Sequence, residues 1–134
     1  MSFNDLTATQ AAALWSGLLI LLLVILSIRV VMARRKHKVL LGDGGVSQVT
    51  LAGRVFGNAA EYIPAGVGAL ALLAMLGLPA LAVHAVGGAL FAGRLIHAAS
   101  LSASKPTAGR VVSMSLTFLA LFVAGGMLVV HAFV

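Results

Sequence analysis

Three stretches of this chain, Leu6 to Ile28, Tyr62 to Gly93 and Val111 to Val134, contain no Asp, Glu, Lys or Arg. Charge-free length of this kind constrains the fold more than any short motif, because roughly 20 apolar residues suffice to cross a bilayer. Composition agrees. The chain is 61% hydrophobic and 9% charged, whereas soluble domains carry about a quarter charged residues. This is the composition of a membrane protein, and the first and last stretches each supply one span.

The middle stretch is too long for one ordinary span, and its centre reads LGLPA at residues 76–80, where Gly77 and Pro79 predict a tight turn. Divided there, neither piece covers the roughly 30 Å of hydrocarbon at about 1.5 Å per residue. Each helix must therefore borrow residues from its charged flank, among them Arg54, Asn58, Glu61, Arg94 and His97. The expected fold is all-α: a single integral membrane domain forming a four-helix transmembrane bundle. Its spans fall at about 8–33, 54–76, 80–101 and 110–132, with a cytoplasmic loop at about 34–53.

Charge placement tests this layout, since short cytoplasmic loops collect Lys and Arg. Six of the nine basic residues, Arg29, Arg34, Arg35, Lys36, Lys38 and Arg54, lie between or at the ends of spans one and two. The other three, Arg94, Lys105 and Arg110, flank the link between spans three and four. Both termini are then expected to face away from the cytoplasm. A three-span layout, with Tyr62 to Gly93 as one helix, would put the basic clusters on opposite sides. The N-terminus has no basic n-region and no A-x-A site follows the first apolar run, so an uncleaved anchor is expected rather than a signal peptide. Topology also accounts for the net charge of +6, and nucleic acid is not an expected partner. With no cysteine, the chain has no disulfide, thiolate metal site or thiol nucleophile of its own.

No internal repeat is apparent. GDGG at residues 42–45 is a turn signal rather than a phosphate loop, since no GK[ST] follows, and LSASKPTAG at 101–109 reads as a short polar connection. Gly66, Gly87, Gly88, Gly125 and Gly126 recur within the spans. They suit close helix approach, or simply reflect the higher glycine content of membrane helices.

On a helix, Arg54, Asn58 and Glu61 (i, i+4, i+7) form one stripe, positions 94, 97 and 101 a second, and Arg110, Ser113 and Thr117 a third. All three occupy cytoplasmic ends, and Arg34 and Arg35 reach the same layer. A single arginine there is simply explained by a salt bridge to Glu61 or by snorkelling to lipid phosphates. The whole set is not. One carboxylate cannot neutralise Arg54, Arg94 and Arg110 together, so an anionic ligand is the better account.

His97 alone fits a ligand contact or a packing role equally well, while His84 and His131, away from this layer, read as interfacial or packing residues. The histidines show no H-x-x-x-H or H-E-x-x-H spacing and the chain has three carboxylates, so no metal site is expected. No Ser/His/Asp triad is apparent, with Asp5 expected on the far side. Pro64 falls inside span two, where a kink is expected.

The pattern R54-x-x-x-N58-x-x-E61-Y62-x-P64, then G93-R94-x-x-H97, then Arg110, resembles the MAPEG superfamily, membrane-associated proteins in eicosanoid and glutathione metabolism. The resemblance spans about residues 34–117 and points to a short prokaryote-like member. It implies a homotrimer in a bacterial inner membrane, holding glutathione as cosubstrate between subunits and admitting a lipophilic small molecule from the bilayer. By position it assigns Arg34, Arg54, Asn58, Glu61, Arg94 and His97 to glutathione binding. Arg110 matches the arginine thought to stabilise the glutathione thiolate.

The implied activity is that of a glutathione transferase or peroxidase. A guanidinium near the thiol, whose ordinary pKa is about 8.5, favours the nucleophilic thiolate, and arginine stays charged while doing so. Leu101 stands where several members carry tyrosine, and Gly57 where some carry arginine. A non-catalytic, lipid-binding member is the second reading. A small multidrug-type exporter is the third, although its carboxylate would belong in the first span, which here has none.

Overall fold

The computed structural model describes residues 6–101 and 108–133, so Asp5, Lys105 and most of the 101–109 connection lie outside the described residues. Four helices carry the chain: α1 (Ala8–His37), α2 (Ser47–Met75), α3 (Ala80–Leu101) and α4 (Ala108–His131). All four are long and apolar enough to cross a membrane, and no strand occurs among the described residues.

The helix ends have local causes. Thr7 caps α1 reciprocally with Gln10, the hydroxyl accepting from the Gln10 amide at 3.2 Å while the Thr7 amide donates to Gln10 Oε1 at 2.9 Å. At the other end Lys38 turns left-handed (φ 54°), and the amide of Val39 donates to the carbonyl of Arg34 at 3.0 Å. The α2–α3 turn falls where LGLPA predicts it, with Gly77 at φ 74°, a conformation that favours glycine.

Two boundaries differ from expectation. α1 runs on to His37, and α2 begins at Ser47 rather than near residue 54, so the intervening loop shrinks to the nine residues 38–46. The extra turns of α2, SQVTLAG, lie outside the apolar stretch but contain no proline, and the helix runs through them despite Gly53. Hydropathy marks where a helix enters lipid, not where it starts. Pro64 lies inside α2 as expected, leaving the Ala60 carbonyl without its helical donor.

α2 and α3 form the centre. Each touches the other and both flanking helices, while α1 and α4 do not meet. Leu19, Ile63, Leu70, Leu73, Val83 and Leu90 are almost wholly buried. Close approach depends on two glycines: a Cβ at Gly66 would overlap Leu90, and one at Gly87 would overlap the Trp15 indole. Trp15 Nε1–H donates to His84 Nδ1 at 3.0 Å, tying α1 to α3 near the end opposite the basic cluster. His84 is thus a packing residue, one of the two roles expected of it. Large apolar side chains point outward, among them Met75, Leu81 and Phe122. Apolar residues all round a helix suit a lipid solvent.

Candidate functional site

At the end of the bundle that carries Arg54, Arg94 and Arg110, α2, α3 and α4 each bring polar residues inward. The centre is Arg94, only 1% exposed. Its Nη1 donates to Asn58 Oδ1 at 2.6 Å, and its Nε and Nη2 donate to Thr117 Oγ1 at 3.1 and 2.8 Å. The Tyr62 ring lies 5.0 Å from the guanidinium carbon, a cation–π distance, and Tyr62 is itself held edge-on by Phe118. Met114 Sδ lies 3.3 Å from Nη2. None of these partners is a carboxylate, so the simple explanation of a Glu61–Arg94 salt bridge does not describe this site.

A hydroxyl ladder on α4 supports the arrangement. Thr117 Oγ1 donates to the Ser113 carbonyl at 2.8 Å, Ser113 Oγ donates to the Arg110 carbonyl at 2.9 Å, and His97 Nδ1 lies 3.1 Å from Ser113 Oγ. Serine has one hydroxyl hydrogen. Both Ser113 contacts are satisfied together only when Nδ1–H of His97 donates, which in the neutral ring leaves Nε2 as an acceptor. Gly93 makes the α3–α4 contact possible, since a Cβ there would come within 2.8 Å of Thr117 Oγ1.

In front of this buried layer lies an open cleft of about 320 Å³, lined by Arg54, Gly57, Asn58, Glu61 and His97. Arg54 and Glu61 are exposed. Arg110 is half-buried at the start of α4, and its Nε has no hydrogen-bond partner among the described residues. Helical spacing therefore brings Arg54, Asn58, Glu61, Arg94 and His97 together, with Arg110 one turn beyond Ser113. Arg34 is placed elsewhere. Its Nη1 donates to the Leu40 carbonyl at 3.2 Å, in a separate cleft at the end of α1.

Tyr62 and Met114 are contacts of Arg94 that stripe counting leaves out; the Tyr62 signal was the E61-Y62 pair, whereas nothing in the sequence singles out Met114. No group of three or more metal-ligating side chains occurs among the described residues.

The MAPEG family model matches residues 12–130, so it takes in the whole of this cluster. The chain belongs to the MAPEG family. Two curated relatives, the inner membrane protein YecN of Escherichia coli (strain K12) and its counterpart from Escherichia coli O6:H1, are each 42% identical over 88 residues, covering 66% of this chain and 67% of the relative. No solved structure matches the chain. The MAPEG match and the four apolar helices together make this an integral, multi-pass membrane protein.

Proposed function

We propose that this MAPEG chain binds glutathione in the Arg54–Glu61–His97 cleft and presents its thiolate to a lipophilic electrophile or hydroperoxide arriving through the bilayer. The observation that carries the reading is the excess of cationic groups over carboxylates at one end of the bundle. Arg54 lines a cleft whose one carboxylate is Glu61, Arg110 stands one step behind its His97 through Ser113, and the charge of Arg94, buried behind the cleft, meets no carboxylate among its partners. Glutathione brings two carboxylates, a thiol and an amine. The arginines suit the first two and Glu61 the last. Arg110, with a buried Nε lacking a partner, supplies the charge that favours thiolate.

Arg94 is a positioning residue in this scheme, since its N–H groups hold Asn58 and Thr117 while its charge reaches the cleft. With an electrophile, the thiolate forms a C–S bond and the leaving group departs. With a hydroperoxide, the sulfur takes the terminal oxygen, an alcohol leaves, and a second glutathione yields disulfide and water. The trimer, with sites completed by a neighbouring subunit's Arg34, and the inner-membrane location that YecN carries in its name belong to the same proposal.

Glutathione titration of the detergent-purified protein tests it. Wild type is expected to bind at millimolar concentration or below and to gain thermal stability, by about 2.7 kcal/mol at a hundredfold excess over Kd. Arg110→Ala and Glu61→Ala are expected to weaken both effects. Absence of binding at millimolar glutathione refutes the reading. Gly57 favours a second one: open space lies where some relatives have an arginine, which suits a non-catalytic lipid-binding protein. Binding without turnover of a general electrophile would select it.

A further inference from the structure

The strongest concentration of charge in the molecule lies outside the cleft, in the last turn of α1, where Arg34, Arg35, Lys36 and His37 precede Lys38. Depth places this turn. α1 has 30 residues and is therefore about 45 Å long, against roughly 30 Å of hydrocarbon. With its first turn at the opposite surface, the helix carries this basic end into the headgroup layer.

The chain then does something unusual for a loop in water: Leu40 and Leu41 are 91% and 87% exposed. The left-handed Lys38 reverses the chain, and the Arg34–Leu40 hydrogen bond holds Leu40 back beside the helix end rather than away from it. Between them opens a cavity of about 410 Å³, lined by the cationic Arg34, Arg35 and Lys38 and the apolar Val31, Val39 and Leu40. The one acidic group on this loop, Asp43, is already engaged. Its oxygens accept from the Gly45 amide at 3.0 Å and from the Thr50 hydroxyl at 2.8 Å. Those bonds tie the Asp43 carboxylate to the start of α2, and cationic and apolar side chains share the cavity beside the basic turn.

We propose that this turn is a binding site for anionic phospholipid. Arg35 and Lys38 receive the phosphate of the headgroup, and Leu40 and Leu41 insert among the upper acyl carbons. The two halves of the surface, cationic and apolar, match the two halves of one lipid. Such a site would fix the depth and tilt of α1 by the leaflet's charge as well as by hydrophobic length.

Phosphatidylglycerol and phosphatidylcholine carrying a spin label, presented to the full-length protein in mixed vesicles, test the site through the fraction of immobilised label. Wild type is expected to prefer phosphatidylglycerol. Each of Arg35→Gln and Lys38→Gln should cut that preference about fivefold, the effect of one basic residue near the surface, and the pair should bring it close to that of the neutral lipid. Equal preference in wild type and the double variant overturns the proposal. So does competition by free inorganic phosphate at the same concentration as the lipid, which would assign the cations to a soluble anion. Because the chain has no cysteine, Leu41→Cys carrying a fluorophore gives a second reading that does not depend on charge. Quenching by a label high on the acyl chain supports insertion, and quenching only by an aqueous quencher refutes it.

Discussion

Thr117→Val is the sharpest test of how the buried arginine is held. Valine has nearly the shape of threonine, so no cavity opens, but the acceptor for Arg94 Nε and Nη2 disappears. Neutral hydrogen bonds between membrane helices are worth about 0.6 kcal/mol on average, because the separated helices find other partners. A bond to a charged group contributes about 1.5–3 kcal/mol, and burial removes the alternative of water. Arg94 is 1% exposed and Thr117 fully buried, so the charged-group value applies. The two bonds share one oxygen and are counted once, giving an expected loss of about 2 kcal/mol, or roughly 6 °C in Tm for a chain of this length. Thr117→Ser keeps the oxygen and should lose less than half of that. The measurement is thermal unfolding in one detergent, wild type and both variants side by side. A loss below about 0.6 kcal/mol for valine, or equal losses for serine and valine, would mean that Thr117 does not hold the guanidinium, and the account of the site would fail.

Gly87→Ala drives a methyl into the Trp15 indole and should cost about 1–3 kcal/mol as overpacking; Trp15 is the one tryptophan, so its emission reports the displacement directly. Gly125→Ala, which meets open space, should be neutral or stabilise by up to about 1 kcal/mol in the same unfolding assay. The Gly45 amide, then the Thr50 hydroxyl, hold the Asp43 carboxyl below its ordinary value of 3.8. The carboxylate's contribution to loop order is therefore complete above 3.8 and lost as pH falls through the lower native value, which the Gly45 amide resonance should follow. Gly57→Arg adds a donor to the cleft without a clash at Cβ and should tighten glutathione binding about tenfold by calorimetry.

Span length, not hydropathy alone, made the site legible. Neither half of the middle stretch could cross a bilayer without Arg54, Asn58, Glu61, Arg94 and His97, and those residues do lie within helices. The Ser113–Thr117 face was visible as i, i+4 spacing, and both residues are buried there. What spacing cannot give is neighbourhood. Arg34 shares the layer of Arg54 but sits on a helix whose end faces its own loop, so a hydrogen bond to Leu40 claims it. The direction of Arg94 was likewise hidden, since Glu61 and Asn58 lie on the same stripe and only packing decides that the amide is nearer. The Trp15–His84 bond is not legible in the sequence because the partners are 69 positions apart, on helices that no local pattern pairs.

That bond and the Arg94 cluster lie toward opposite membrane surfaces and join different helices. One rivets α1 to α3; the other rivets α2 and α4 to α3. α3 is thereby the keel of the molecule, fastened toward both ends. α1 has no part in the polar cluster and does not meet α4, but it packs along α2 as well as α3, so any tilt of α1 is passed to the helix that carries Arg54, Asn58 and Glu61. The basic turn at the end of α1 and the cleft are thus coupled in series through α2.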